Sequence, residues 1–166
     1  FAPNTINWKS QSSLNDQFGV WKIGKQNIFV KRFQKPPSGW RLMEEAITKS
    51  FLNTPQVYRL QKNDDFYYVF LEYLDGDTLY NIIQERKLAD YFQNASLSSE
   101  DKINIVLSVA ASVRSLNLRN FWYPDLDLKN IFVVKNPKKT KVFLIDLDSC
   151  PGDSQPFDPG NVSQVC

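Results

Sequence analysis

The chain has 166 residues, of which 42% are hydrophobic, and this is enough for the core of one domain that we expect to be divided between two small lobes. Its net charge of +2 is too close to neutrality to indicate nucleic acid or a membrane surface as a partner. The absence of histidine excludes histidine general bases, Ser-His and Cys-His dyads, and histidine-ligated zinc. Two cysteines cannot define a disulfide framework, so we expect free thiols in a reducing compartment.

A short strand containing a lysine is the first informative element. The segment Ile28-Phe-Val-Lys31-Arg-Phe33 combines β-branched and aromatic residues and is ended by Pro36-Pro-Ser-Gly39. Taken alone, Lys31 beside Arg32 favours a solvated position on the strand.

A helix is predicted next, over about residues 39–53. Ser38 can cap it, and Asn53-Thr-Pro55 ends it. It carries two adjacent acids, Glu44 and Glu45, which taken alone are surface residues. Its apolar positions recur at helical spacing: Trp40, Met43, Ile47 and Phe51.

A hairpin and two helices follow. Strands are predicted over 56–60 and 66–74, and then Asp77 either caps a helix or contacts a ribose, with capping favoured. We expect three side chains of that helix to point inward: Leu79, Ile82 and Ile83. A longer helix opens at Ser98 or Ser99, with a broad apolar stripe predicted as core: Ile103, Val106, Leu107, Ala110, Val113 and Leu116.

The most informative segment combines an Asp, an Asn and a second Asp with two apolar runs. Asp125 precedes Asn130 by five residues, and the runs 131–134 and 142–147 predict two paired strands joined by a polar turn. Such a hairpin brings Asn130 and Asp146 to the same end. The alternative is that these residues only form turns at strand ends, as Asp and Asn often do. We favour a functional site because the offset, the following strand and the Ile-Asp-Leu-Asp ending coincide.

This arrangement is the one that a phosphoryl-transfer enzyme uses. Asp125 could orient an attacking hydroxyl and accept its proton, while Asn130 and Asp146 supply oxygen ligands to magnesium. Asp148 would take an outer role.

The segment resembles the catalytic and metal-binding loops of the protein-kinase-like superfamily. Leu144-Ile-Asp-Leu-Asp-Ser-Cys150 is most similar to the bacterial lipopolysaccharide-core (Kdo/heptose) sugar kinases. The resemblance implies that Asp125 is the catalytic Asp, Asn130 the metal-binding Asn, and Asp146 the metal-binding Asp of the Asp-Phe-Gly position.

The resemblance extends from about residue 18 to about residue 149. It implies that Lys31 pairs with the nucleotide phosphates and is held by Glu45, with Glu44 as the alternative. It also implies that Leu71 is the gatekeeper and that the backbone of Glu72 and Leu74 binds adenine. Of the glycine-rich loop that covers the phosphates, only Gly19 would remain.

Several residues depart from the pattern of this superfamily. Leu14 and Asp16 stand where glycines are usual, and Tyr123 stands where a structural His is common. Asp127 replaces the Lys of Ser/Thr protein kinases, which favours a sugar kinase, and Lys129 either supplies that charge or is solvated. Only residues 149–166 follow the second metal loop, and they contain no Ala-Pro-Glu. We therefore expect either a minimal kinase or a fragment.

We predict an α+β, bilobal, protein-kinase-like fold, with a small β-rich N-lobe over 1–74, a reduced helical C-lobe over 75–150, and a flexible tail over 151–166. The predicted function is ATP- and Mg²⁺-dependent (or Mn²⁺-dependent) phosphate transfer to a hydroxyl of a sugar, a lipopolysaccharide or a protein. The alternatives are a pseudokinase that acts as a nucleotide-binding or scaffolding module, and ordinary packing that imitates the motifs.

The expected partner is a small-molecule or protein hydroxyl substrate. Nucleic acid is not expected, and no apolar stretch is long enough to cross a bilayer, although peripheral membrane contact stays open. We expect a cytoplasmic location.

Overall fold

The protein is described by a computed structural model that covers residues 5–10, 16–63, 65–84, 99–134 and 140–151. Within these ranges it is an α+β structure with two antiparallel sheets and three α-helices. The α+β class predicted from the sequence is therefore confirmed.

The larger sheet has five strands in the order β1-β2-β3-β5-β4, and all neighbouring strands are antiparallel. The strands are β1 (Lys9–Ser10), β2 (Gln17–Ile23), β3 (Gln26–Phe33), β4 (Val57–Lys62) and β5 (Tyr67–Glu72). Lys31 lies on the central strand β3, between Phe18 of β2 and Val69 of β5. Because strands flank β3 on both sides, the position of Lys31 is fixed by two ladders of hydrogen bonds.

Helix α1 (Trp40–Thr48) packs against this sheet through Leu42, Met43 and Ala46. It is shorter than the predicted 39–53, because the backbone of Lys49 is already extended with φ −132°. Phe51 is nevertheless buried, but it reaches the core from the segment after the helix.

The smaller sheet has the order β6-β7-β8, formed by β6 (Gly76–Thr78), β7 (Ile131–Val134) and β8 (Lys141–Leu144). Helix α2 (Leu79–Gln84) follows β6, and helix α3 (Ser99–Asn117) precedes the loop to β7. The two strands predicted after Asn130 are confirmed, although the second is shorter and is followed by a 3₁₀ turn, Leu147–Ser149.

One hydrophobic cluster connects the two sheets. It joins Phe33 and Leu42 on the side of the larger sheet to Leu116, Ile131 and Leu144 on the side of the smaller one. The division into two lobes and the boundary near residue 74 stay predictions.

The predicted inward faces of α2 and α3 are partly wrong. Ile83 is 52% exposed, and Ile103, Val106 and Leu107 are 59–66% exposed. Helix α3 does bury Leu116 of the predicted stripe and packs the partly buried Val113 against the core, but it also buries Ile105, which lies outside that stripe. The error has a physical reason: α3 has apolar residues on more than one side, so periodicity alone did not identify the face that meets the sheet.

No helix in the described ranges is long and apolar enough to cross a bilayer.

Replacing Leu42 by Ala should lower the free energy of unfolding by about 2–5 kcal/mol, because this fully buried side chain would leave a cavity. The matched control is Leu107→Ala, the same change on a helix at a position that is 60% exposed. It should alter stability by about 0.5 kcal/mol or less. Denaturant titration measures both, and equal losses in the two variants would contradict the assigned core.

Candidate active site

The loop before β7 orients Asn130 toward Asp125. Asp127 caps the 3₁₀ turn Leu128–Asn130 by accepting a hydrogen bond from the backbone N–H of Lys129 at 2.8 Å. The Asn130 amide nitrogen Nδ2 then donates to the backbone oxygen of Asp125 at 3.0 Å and to its carboxylate Oδ2 at 2.9 Å. Since the nitrogen side of the amide faces Asp125, the amide oxygen is left to bind another group.

The hairpin β7–β8 places Asn130 and Asp146 at the same end, as predicted. Ile131 pairs with Leu144, and the next backbone N–H, that of Ile145, donates to the oxygen of Asn130 at 3.0 Å. Asp146 follows with a left-handed backbone, φ 66° and ψ 39°. Its carbonyl accepts from the Ser149 hydroxyl at 2.9 Å, which helps to hold this sharp turn.

Lys31 contacts the carboxylates of two aspartates from this turn. Its ammonium donates to Asp146, and it lies 2.6 Å from Oδ1 of Asp148. Lys31 is only 6% exposed. Burial by itself would lower the pKa of this ammonium, but the charges of Asp148 and Asp146 outweigh burial and raise the pKa of Lys31 above its ordinary 10.5. The lysine is therefore held in its charged form.

Tyr123 links the two halves of the site. Its hydroxyl donates to the backbone oxygen of Ile145, immediately before Asp146. Burial, followed by the nearby Cys150 and the carboxylates of Asp146 and Asp125, raises the pKa of Tyr123 far above its ordinary value. The phenol thus stays a hydrogen-bond donor and braces the turn that carries Asp146.

Asp16 reaches the same region from the start of β2. Partial burial and the charge of Asp148 raise its pKa, while a backbone hydrogen bond from Gln34 and the charge of Lys31 oppose this. The other residue noted in the predicted phosphate lid, Leu14, lies outside the described residues.

The expected ion pair between Lys31 and α1 is not formed. Glu45 Oε1 lies 4.0 Å from Nε of Arg41 on the same helix, and Glu44 accepts a hydrogen bond from the Trp40 indole at 2.8 Å. Both acids therefore interact within α1, whereas Lys31 contacts two aspartates. The register of α1 could not be fixed from the sequence, which is why the structure differs from the predicted pairing of Lys31 with a glutamate of this helix.

Two of the residues predicted to bind nucleotide, Glu72 and Leu74, lie at the end of β5 and in the segment from β5 to β6. Glu72 ends β5, donates its N–H to Gln56 at 2.8 Å and accepts from the Gln56 N–H through its side chain at 3.2 Å. Leu74 is partly buried between β5 and β6, and Leu71 is part of the core. The adenine-binding role of this segment stays a prediction.

Two further predicted ligand residues have local structural roles. Asp77 accepts hydrogen bonds from the N–H of Thr78 at 2.7 Å and from the Asn81 side-chain amide at 2.8 Å. The capping bond at the start of α2 is made instead by the Thr78 hydroxyl, which accepts from the Asn81 N–H at 3.2 Å, so Asp77 supports this helix start without being its cap. Gly19 lies within β2, where a Cβ would come 2.3 Å from Cγ2 of Ile6. Close packing is thus sufficient to require glycine at this position.

Lys129, considered as a source of positive charge, places its ammonium 5.0 Å from the ring centroid of Tyr80. This is a cation–π contact at the surface.

The oxygen donors fit magnesium, although no cluster of three or more His, Cys, Asp or Glu side chains suited to a metal occurs in the described part of the chain. Mg²⁺ that accompanies a nucleotide takes one or two carboxylates and completes its shell with phosphate oxygens and water. Asp146 offers a carboxylate that is 25% exposed, and Asn130 offers an amide oxygen whose nitrogen is already engaged.

Sequence reasoning gave Asp148 only an outer role and missed its attachment to the start of α1. The backbone oxygen of Asp148 accepts from the Gly39 N–H at 2.8 Å and from the Ser38 hydroxyl at 3.1 Å. The second Asp of Ile-Asp-Leu-Asp was the available signal, but no feature of the sequence indicated that Gly39 would meet it.

Comparisons with known proteins find similarity to protein kinases and, over part of the chain, to one family model. A dual specificity protein kinase of Dictyostelium discoideum, zakA, is 21% identical over 145 residues, which are 80% of this chain and 18% of that protein. The serine/threonine-protein kinase PrkC of Bacillus subtilis (strain 168) is 26% identical over 110 residues, 64% of this chain and 14% of that protein. The family model of the lipopolysaccharide kinase (Kdo/WaaP) family matches residues 80–156.

These matches confirm the resemblance to the protein-kinase-like superfamily and to the lipopolysaccharide kinases, and they support a kinase function. The family match includes Asp125, Asn130, Asp146 and Asp148. The chain spans less than a fifth of the length of either curated relative.

Cys150 provides a pH test of the packing behind the turn that carries Asp146 and Asp148. Burial, together with the carboxylates of Asp148 and Asp146, raises the pKa of its thiol from 9.0 to about 12. Between these pH values the unfolded chain loses the proton and the folded chain keeps it, so stability must fall as pH rises. We expect Cys150 to account for a loss of about 1 kcal/mol between pH 8 and pH 10.

The measurement is denaturant titration at both pH values under reducing conditions, for the wild type and for Cys150→Ala. The difference in stability between the two proteins should shrink at pH 10, because only the wild type carries the buried thiol. A difference that does not change with pH would show that the thiol is not buried as described.

Proposed function

We propose that the protein is an ATP- and Mg²⁺-dependent kinase that transfers the γ-phosphate to a hydroxyl group. The observation that carries the proposal is the convergence of two side-chain pairs, Lys31 with Asp146 and Asn130 with Asp125. They are joined by the hydrogen bond from the Ile145 N–H to the oxygen of Asn130. A charged lysine, two metal-type oxygen donors and a further carboxylate are the components that phosphoryl transfer requires.

Each side chain has a role that follows from its position. Lys31 would bind phosphate oxygens as a fixed positive charge, and Asn130 and Asp146 would hold the metal. Mg²⁺, when bound, would neutralise the charge that develops on the phosphates. Asp125 would orient the acceptor hydroxyl and take its proton while the oxygen bonds to the γ-phosphorus and the bond to the ADP oxygen breaks.

We place the nucleotide between a β-rich N-lobe and a reduced C-lobe. The segment that includes Glu72 and Leu74 runs from the larger sheet to the smaller one, so its backbone is suitably placed to bind adenine. In this arrangement Lys31 on β3 would face the phosphates from one side, and the metal loop would face them from the other.

A sugar hydroxyl of the lipopolysaccharide type is the acceptor that we favour. Support comes from the family match, which covers the segment containing the proposed base and both metal ligands. Asp127 also caps a turn at the position where Ser/Thr protein kinases carry a lysine. A protein hydroxyl is the second candidate, since zakA and PrkC are protein kinases.

The test is transfer of radiolabelled γ-phosphate by wild type and by Asp146→Asn. Asparagine tolerates the left-handed backbone at this position, so the fold should be retained while the metal loses its charged ligand. We expect turnover to fall by at least about a hundredfold. The acceptors would be a Kdo-containing lipid A and, in parallel, a general protein substrate such as casein.

Asp65→Asn is the matched control, because it makes the same change at an exposed residue of the β4–β5 hairpin. It should leave turnover unchanged. Equal transfer by Asp146→Asn and wild type would contradict the proposed metal site. Nucleotide binding by the wild type without any transfer would instead identify a pseudokinase.

A further inference from the structure

Helix α1 is connected to Lys31 through residues other than its two glutamates. Glu45 is 4.0 Å from Arg41 on its own helix, and Lys31 is contacted by the turn that follows β8. Something other than a helix glutamate must therefore hold the lysine if it is to bind phosphate.

Asp148 has the geometry for this task. Its Oδ1 is 2.6 Å from the Lys31 ammonium, and its side chain is 14% exposed compared with 25% for Asp146. A well-buried carboxylate interacts strongly with a buried ammonium, because little water screens the pair. Asp146 is the more exposed of the two and is the one that we assign to the metal.

The backbone of Asp148 is attached to the first residues of α1. The Gly39 N–H and the Ser38 hydroxyl donate to its carbonyl oxygen, at 2.8 Å and 3.1 Å. A Cβ on Gly39 would lie 1.9 Å from the oxygen of Leu147 and 2.9 Å from Cα of Asp148, so this approach requires glycine. The start of α1 and the turn that carries Asp148 are therefore joined by two hydrogen bonds and one close backbone approach.

We propose that Asp148 is the positioning residue that holds Lys31 in the phosphate site, in place of a glutamate from α1. This inference rests on the proposed kinase function for the purpose of the lysine, but the ion pair itself is independent of it. Lys31 would keep Asp148 as its partner when Asp146 turns to the metal. A change in the position of α1 would then be transmitted to Lys31 through the contacts of Gly39 with Asp148 and of Asp148 with the lysine.

The first experiment needs no catalysis. In nucleotide-free protein labelled with ¹⁵N-lysine, the NH₃⁺ group of a buried, ion-paired lysine exchanges slowly and gives a cross-peak that solvated lysines lack. The Lys31 cross-peak is assigned by its loss in Lys31→Arg. It should persist unchanged in Glu45→Gln, which removes the rival partner, and in the Asp65→Asn control. In Asp148→Asn it should shift and exchange faster with water, because Asp146 is then the only one of the two carboxylates left to hold the lysine.

The second experiment separates binding from turnover. Asp148→Asn should raise the KM for ATP about tenfold, the effect expected when a supporting contact to a ligand-binding group is removed, with a smaller change in kcat. Asp148→Glu, which keeps the carboxylate, should recover part of the affinity. A purely structural role for Asp148 would not be rescued by the charge of glutamate.

The outcomes are distinct. Loss of the Lys31 signal in Glu45→Gln, or an unchanged signal and exchange rate in Asp148→Asn, overturns the proposal. If Asp148→Asn proves unfolded by circular dichroism, the Glu45→Gln spectrum decides the question alone. If the spectra behave as expected but the wild type neither binds nor uses ATP, the proposed function fails and the assignment of the lysine's partner stands.

Discussion

The ion cluster of Lys31 with Asp146 and Asp148 is the interaction on which the arrangement of the site depends. An ammonium that is 6% exposed is costly unless opposite charges compensate for the lost water. Here the lysine comes from the centre of the larger sheet, and both carboxylates come from the turn after β8 in the smaller sheet. A charge requirement therefore ties two parts of the chain that are more than a hundred residues apart in sequence.

Backbone contacts turn this attraction into a fixed geometry. The Leu144 N–H donates to Asn53 at 2.8 Å, Ile145 to Asn130 at 3.0 Å, and Gly39 to Asp148 at 2.8 Å, so β8 and the turn after it are held from three directions. The Tyr123 hydroxyl adds a fourth support at Ile145. The backbone therefore fixes where Asp146 and Asp148 lie, and their carboxylates are available to bind the Lys31 ammonium or a ligand.

Local sequence patterns predicted the elements that carry the site but not the way in which they meet. The hairpin after Asn130 was predictable, because two β-branched runs and the spacing from Asn130 to Asp146 leave little freedom in register. The partner of Lys31 was not predictable, because packing decides which side of a helix faces the sheet. In α1 the buried side is the one that carries Leu42, Met43 and Ala46. The same limit explains α3, whose buried face is set by the sheets it meets. Gly39 shows the extreme case, since only the three-dimensional approach of Leu147 reveals why it must be glycine.

The central claim is that Asn130 and Asp146 form one metal site within reach of Lys31. The most direct measurement is a crystal structure with a non-hydrolysable ATP analogue and Mn²⁺, in which the anomalous signal locates the metal. The account predicts a peak at about 2.1 Å from oxygens of both Asn130 and Asp146, with the Lys31 ammonium against a phosphate. A metal bound elsewhere, or a nucleotide that does not contact Lys31, would contradict it.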